Sequence, residues 1–165
     1  MEWLLFFEKG IWFGLAALGF AILFNVPPRV LFTVWLFGAL GGLTKLLLLK
    51  VGVNVILASL GGASLVGILS IPAAHNRHAP PLVFSIPAVI PMVPGVFAYR
   101  MMLGLIRLAG SPDGTDYQRI LAQTVSNGLT MFFILMALAV GGSLPFLITR
   151  KESVKKLHLG KRKVH

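Results

Sequence analysis

The sequence predicts an all-α integral membrane protein, a bundle of five transmembrane helices whose fourth helix is broken at a proline/glycine motif. Hydrophobic residues make up 56% of the 165 residues and charged residues only 12%, about half of what soluble domains carry. Several charge-poor runs are long enough to cross a bilayer, which takes about 20 helical residues. One of these runs contains three prolines within a short stretch, and this predicts the break.

The first two spans are predicted to form an antiparallel pair. Gly10–Pro28 is charge-free and ends in two prolines, and Arg29 marks the return to water. The second span, Val30 to about Leu49, follows directly, so we expect a tight turn between them. The sequence before Gly10 has no charged n-region or cleavage site of a signal peptide, so the first span is expected to remain in the mature protein.

Helix two carries one charge and one packing motif. Lys45 lies near the predicted end of the helix, where a lysine can reach the interface, and we interpret it as an anchor there; the alternative is a substrate ligand. Gly38 and Gly42 form a GxxxG pair, which lets another helix approach closely.

The third span, Val51–Ile71, is uncharged and rich in small residues, a composition that favours close helix packing. A polar linker, Ala74–Pro81, is predicted after it. His75 and His78 in this linker resemble a pair of metal ligands. A metal site needs three or four ligands, however, and no acidic or sulfur-containing residue lies near these histidines in the sequence. We therefore interpret the linker as a solvated loop and expect no metal and no cofactor.

The fourth span contains the motif on which the functional prediction depends. Pro87, Pro91 and Pro94 interrupt an uncharged stretch, and Gly95 follows the last of them. Each interior proline removes a backbone donor, so a continuous helix through 89–95 is not expected. Broken backbone in a membrane is tolerated where it packs in protein or lines a watery cavity, and transporters build substrate sites from it. The alternative is a kinked helix without a ligand.

Two arginines follow the break on one helical face. Arg100 and Arg107 lie seven residues apart, so they either line the exit from the membrane or meet lipid headgroups. The planar guanidinium of Arg100 matches the geometry of a carboxylate on a solute. A turn-rich loop is predicted at Ser111–Asp116.

The fifth span is predicted from Ile120 to Thr149, and polar residues crowd its first half. Thr124, Asn127 and Thr130 recur every third residue and so share roughly one face. A polar stripe that faces the broken helix would contact a polar solute. The alternative is hydrogen bonding between helices without a ligand.

Charge is concentrated after the last span. The net charge is +10, and seven lysines and arginines follow from Arg150 onward. We expect a five-helix domain at 1–149 and a basic cytoplasmic tail at 150–165, attracted to anionic lipid and not to nucleic acid. The tail places the C-terminus inside and the N-terminus outside, although the charges of the loops alone favour the opposite orientation.

The motifs together resemble a known family. Phe24–Pro27, which reads FNVP, is followed about sixty residues later by Ala88–Gly95, which reads AVIPMVPG, and then by Tyr99. This pattern resembles the threonine/serine exporter (ThrE) family, and the likeness is greatest to its small, YjjB-like subunit. Asn127 also matches a polar position there, and the resemblance runs from about Gly10 to Phe146.

The resemblance implies a secondary exporter of small hydrophilic metabolites, such as threonine and serine or dicarboxylates such as succinate, in the inner (plasma) membrane. It implies a larger membrane subunit of the same family as partner, or alternatively a homo-oligomer. Six candidate pathway residues come from the resemblance; Arg100 and Thr124 come from the pattern of the chain itself. The predicted pathway residues are Asn25, Pro91, Pro94, Gly95, Tyr99, Arg100, Thr124 and Asn127.

Two other functional classes are weighed against an exporter subunit. One is a non-transporting assembly or regulatory subunit, in which the proline break only shapes a docking surface. The other is a membrane-embedded enzyme. It is poorly supported because no predicted span contains an acidic residue and no Ser-His or metal constellation lies at membrane depth.

Overall fold

The fold is a bundle of helices. A computed structural model describes the backbone of residues 2–110 and 114–159, and the side chains of 3–110, 114 and 116–144. Within these ranges every regular element is helical, so the predicted all-α class is confirmed. The elements are α1 (Glu2–Leu23), α2 (Pro28–Lys50), α3 (Val55–Arg77), α4 (Pro81–Val89), a 3-10 turn (Ile90–Met92), α5 (Gly95–Ala109) and α6 (Gly114–Leu159).

The described part of the chain contains four helices that could cross a membrane, and a fifth span if a bent pair of helices is counted as one. Helices α1, α2, α3 and α6 are each long and apolar enough to cross a membrane. The fifth candidate is a pair: α4 with its 3-10 turn, and α5, which are bent by 50° at a short break. The bent pair is fourth in chain order, so the prediction of a broken fourth span is confirmed.

A tight turn joins α1 to α2, as expected from the two prolines. Asn25 ends α1 in the left-handed conformation with a φ of 55°. The N–H of Val26 donates to the carbonyl of Ala21 over 2.9 Å, which is the Schellman pattern that closes a helix C-terminus. Pro28 then begins α2 at a position where its missing N–H costs nothing.

Small residues set the distance between the helices. A Cβ at Gly42 would meet the ring of Phe13, and one at Gly38 would meet Ala17, so the GxxxG face of α2 packs directly on α1. A Cβ at Gly141 of α6 would lie 2.8 Å from that of Ala63 in α3. Close approach at both crossings gives the van der Waals contact on which membrane helices depend.

Helix α3 ends later than predicted. The expected end at Ile71 and the expected linker from Ala74 are wrong, because the helix continues through Pro72 to Arg77. Ala73 and Ala74 pack against the core, and this packing holds the last turns in place. His78 then closes the helix with a φ of 50°.

The core lies where α1, α2, α3, α4 and α6 meet, and α5 lies at its edge, where Phe97 packs against it. The only buried residue of α5 is Gly104. A cluster of buried side chains joins the other five helices. Its members are Ala17, Ala21, Val30, Val34, Phe37, Ala63, Val66, Phe84, Ala88, Met92, Ile134 and Leu138.

Helix α6 is longer than the fifth span that was predicted. It begins at Gly114, not at Ile120, so the last three residues of the predicted Ser111–Asp116 loop form its first turn. Residues 111–113 lie outside the described residues. The backbone of α6 continues past the predicted boundary at 149 to Leu159, whereas residues 160–165 of the predicted tail lie outside the described part.

Candidate functional site

The break in the fourth span is confined to a few residues. Helix α4 continues through Pro87 and ends at Val89, a 3-10 turn follows, and α5 begins at Gly95. Pro94 has no N–H to donate to the carbonyl of Ile90, and the N–H of Val93 takes that acceptor instead over 3.0 Å. Two of the three prolines therefore produce the break, and Pro87 is accommodated within a helix.

Lys45 satisfies a backbone acceptor at this break. Its ammonium donates to the carbonyl oxygen of Met92 over 2.8 Å. The side chain therefore reaches towards the interior of the bundle, which differs from the interface anchor that the sequence predicted. The physical reason is that a carbonyl freed at membrane depth must find a donor, and Lys45 lies on the adjacent helix.

A polar groove lies between α5 and the first half of α6. Its volume is about 330 Å³, within the range of small-molecule sites. Each helix contributes residues at spacings of three and four, so one face of each lines it. The lining residues are Tyr99, Arg100, Leu103, Gly104, Arg107, Ile120, Gln123, Thr124 and Asn127.

Two cations dominate the electrostatics of the groove. Both Arg100 and Arg107 line it, and no acidic residue does. Among the described residues neither guanidinium makes a hydrogen bond or an ion pair. Fixed positive charge between low-dielectric walls attracts anionic groups, and the fork of an arginine binds a carboxylate through two parallel hydrogen bonds.

The polar side chains that α6 contributes to the groove form hydrogen bonds to the backbone of the same helix. The hydroxyl of Thr124 donates to the carbonyl of Ile120 over 2.7 Å, and the amide of Asn127 donates to the carbonyl of Gln123 over 2.8 Å. The Asn127 amide oxygen and its second N–H remain available to a solute. These bonds lie within one helix, in contrast to the bonding between helices that was the alternative.

A glycine sets the distance between the two walls. A Cβ at Gly104 would collide with the hydroxyl of Thr124, and Thr124 itself is only 4% exposed. The backbone of α5 therefore lies directly against α6 at this point. Any larger residue at position 104 would push the walls apart.

The structure brings together half of the predicted pathway residues. Tyr99, Arg100, Thr124 and Asn127 line the groove, while Pro91, Pro94 and Gly95 form the break just before it. Asn25 lies at the α1–α2 turn, at the end of the bundle where α4 begins, whereas the groove lies where α5 ends and α6 begins.

The sequence prediction left out two polar side chains of the groove and placed a third residue, Thr130, on the wrong face. Arg107 and Gln123 line the groove but were not among the predicted pathway residues. Helical spacing from Arg100 and Asn127 would have found them. Thr130 turns away, because each step of three residues falls about 60° short of a full turn. It lines a larger groove of about 460 Å³ on the other flank of α6, which contains no charged residue.

Comparison with known proteins identifies the family. The family described as "Threonine/Serine exporter, ThrE" matches residues 9–148, a range that includes the break and both walls of the groove. This chain belongs to the threonine/serine exporter family. The resemblance noted from its motifs is therefore confirmed.

A curated relative of this chain is about twice as long as the segment that matches it. An uncharacterized protein from Haemophilus influenzae (strain ATCC 51907 / DSM 11121 / KW20 / Rd) is 33% identical over 141 residues, which cover 84% of this chain. The same alignment covers 46% of the Haemophilus protein, so this chain spans about half of the length of that relative. No solved structure matches the chain.

Proposed function

We propose that this chain is a subunit of a secondary exporter of small polar metabolites, and that the solute passes through the groove between α5 and α6. The candidate substrates are threonine and serine, or dicarboxylates such as succinate. The observation that carries the proposal is the groove itself, where Arg100, Arg107, Thr124 and Asn127 converge beside a broken membrane helix.

The groove offers the groups that such solutes need. An arginine supplies the donors for a carboxylate, and both an amino acid and a dicarboxylate carry one. The amide oxygen of Asn127 accepts from an ammonium or hydroxyl group, and the hydroxyl of Tyr99 both donates and accepts. Dicarboxylates would engage both guanidinium groups, whereas hydroxy amino acids would use one together with Asn127.

The proposed partner is a larger membrane subunit of the same family. The Haemophilus relative extends well beyond the matched segment, since 46% of it is covered. In that protein a further segment of similar size is joined to the counterpart of this chain. By analogy with this two-part arrangement we propose a larger subunit as the partner, and a homo-oligomer is the alternative.

Transport in this proposal follows from relative motion of two bodies. Secondary carriers commonly rock one half against the other around a site built from broken helices. The peripheral position of α5, at the edge of the core and against α6, suits an element whose surroundings change during the cycle. We propose that the complex lies in the plasma (inner) membrane with the C-terminus of this chain in the cytoplasm.

Export assays on two substitutions test the proposal. Cells or proteoliposomes that contain this chain alone, and then with its candidate partner, are assayed for export of threonine and of succinate. Asn127→Ala is expected to lower export at low solute concentration about tenfold, which corresponds to the loss of one hydrogen bond, about 1–1.5 kcal/mol. Tyr99→Phe is expected to have an effect of the same direction.

A competing function is a non-transporting assembly or regulatory subunit. Both variants must therefore be shown to assemble as the native chain does, by co-purification with the partner. Thr130→Ala, on the opposite flank of α6, is the matched control and is expected to keep native export. Unchanged export in both Asn127→Ala and Tyr99→Phe, with assembly intact, would contradict the pathway and favour the regulatory role.

A further inference from the structure

We infer that Lys45 acts as a latch that fixes the angle between α4 and α5, and so positions the α5 wall of the groove. The latch consists of the Lys45 ammonium and the carbonyl oxygen of Met92, 2.8 Å apart. Lys45 is thus a positioning residue. The inference goes beyond the proposed function, because it concerns how the break is held whatever solute is carried.

Met92, which accepts the hydrogen bond from Lys45, is fixed in place by the packing of its own side chain. Met92 is only 1% exposed, and it lies against two glycines of neighbouring helices. A Cβ at Gly41 would be 2.8 Å from the Met92 methyl carbon, and one at Gly62 would be 3.0 Å from its sulfur. The end of α4 is therefore docked into the α2–α3 crossing, and Lys45 adds a backbone contact at the same point.

The chain beyond Met92 has much less to hold it. A Cβ at Gly95 would meet nothing within 4 Å, so the first residue of α5 has open space beside it. Helix α5 packs mainly on α6, and no fully buried member of the core cluster belongs to it. Beyond Met92, Phe97 is the residue of α5 that packs against the core cluster, and the hydrogen bond from Lys45 is the polar contact that joins α2 to the break.

A small change of the angle between α4 and α5 produces a larger displacement of the residues at the far end of α5. Arg107 lies twelve residues beyond Gly95, about 18 Å along the helix. A swing of about 10° at the break would carry Arg107 roughly 3 Å, enough to open or close the space between the guanidinium groups and Asn127. Loss of the Lys45 contact would leave this angle less restrained, with only apolar packing to hold it.

Distances between spin labels test the latch directly. The chain contains no cysteine, so pairs of cysteines can be introduced at exposed sites and labelled in lipid nanodiscs. One pair, at Leu57 and Leu105, reports the distance from α3 to α5; a second, at Ile22 and Ile68, reports the distance from α1 to α3. All four sites are at least 48% exposed.

The expected result is a change confined to α5. Lys45→Met should broaden the Leu57–Leu105 distribution or shift it by about 3 Å or more, and leave the Ile22–Ile68 pair as in the native chain. Lys45→Arg keeps a donor and should restore most of the native distribution. Lys9→Met, which removes an exposed lysine of α1, is the control for the loss of a charge and should change neither pair.

Two outcomes would overturn the latch. One is a Leu57–Leu105 distribution in Lys45→Met that equals the native one. The other is that both pairs change together in Lys45→Met and also in the milder Lys45→Gln, which would show that Lys45 supports the whole bundle. The measurement needs no substrate, so its failure is separate from that of the export assay.

Discussion

Some polar residues of this protein stabilise the backbone, and others line the groove between α5 and α6. Asn25, a candidate pathway residue, adopts a φ of 55° in a helix-closing turn and is exposed there; this conformation alone accounts for an asparagine. Lys45 serves the backbone of another helix through its bond to Met92. Arg100 and Asn127 instead point their polar groups towards the same groove, so their chemistry is open to a solute.

Gly104 provides a test of the close approach between α5 and α6. Gly104→Ala is expected to lower export several-fold, because the new methyl group collides with the Thr124 hydroxyl and separates the walls of the groove. Export of threonine and of succinate measures the effect. Gly19→Ala adds the same methyl group where nothing lies within 4 Å, and it should leave export unchanged.

Rescue strengthens the Gly104 experiment. Thr124→Ala removes the atom with which the new methyl group collides. The double variant should therefore export more than Gly104→Ala, up to the level of the Thr124→Ala single variant. Native export in the single Gly104→Ala variant would show that the distance between α5 and α6 does not limit transport.

At the scale of elements, the broken fourth span is distinguished from an ordinary proline kink. Pro72 and Pro87 lie inside helices that continue past them, whereas Pro91 and Pro94 coincide with a 3-10 turn and a 50° bend. Two prolines three residues apart remove neighbouring donors, and the chain cannot recover a helix until Gly95. The bend then directs α5 along α6, away from the core.

Restoring a donor at the break should straighten the fourth span. Pro94→Ala supplies an N–H for the carbonyl of Ile90, which favours a continuous helix. The bend between α4 and α5 should fall well below 50°, and export should be lost because Tyr99 and Arg100 leave the groove. The label pair at Leu57 and Leu105 measures the bend, and the export assay measures the loss.

Pro72→Ala is the matched control for that substitution. It also restores a donor, but inside α3, where the helix already continues, so the angle between α4 and α5 and the export rate should both stay native. A Pro94→Ala variant that is straight and still exports at the native rate would show that the bend is dispensable.

For the whole molecule, five spans place the two ends of the bundle on opposite sides of the membrane. Lys50 and the start of α6 lie at one end, and Asn25 and Arg77 lie at the other, because successive spans alternate in direction. The groove lies nearer the first end. Under the orientation that the basic tail predicts, that end faces away from the cytoplasm.

Single cysteines establish the orientation. A cysteine at Val51, which is 75% exposed, should react with a membrane-impermeant maleimide on intact cells. A cysteine at Asn76, at the other end of α3, should react only after permeabilisation. The reverse pattern would place the N-terminus in the cytoplasm. Equal labelling of both sites from one side would contradict a membrane-spanning α3.

The amino-acid sequence by itself determined the class, the number of spans and the place of the break. These follow from local properties: apolar length sets whether a helix crosses the bilayer, and proline removes a donor wherever it stands. The family motif is equally local, so FNVP and the following AVIPMVPG were sufficient to indicate the family. The same local rules placed Arg100 and Arg107 on one face of a helix.

Only the tertiary structure decided which helix each side chain meets. The end of α3 was mispredicted because packing of Ala73 and Ala74 against the core outweighs the local effect of Pro72. The contact from Lys45 to Met92 joins residues 47 positions apart, and the groove joins α5 to α6 across a bend. Such contacts depend on how helices cross, and crossing depends on the packing of many residues at once.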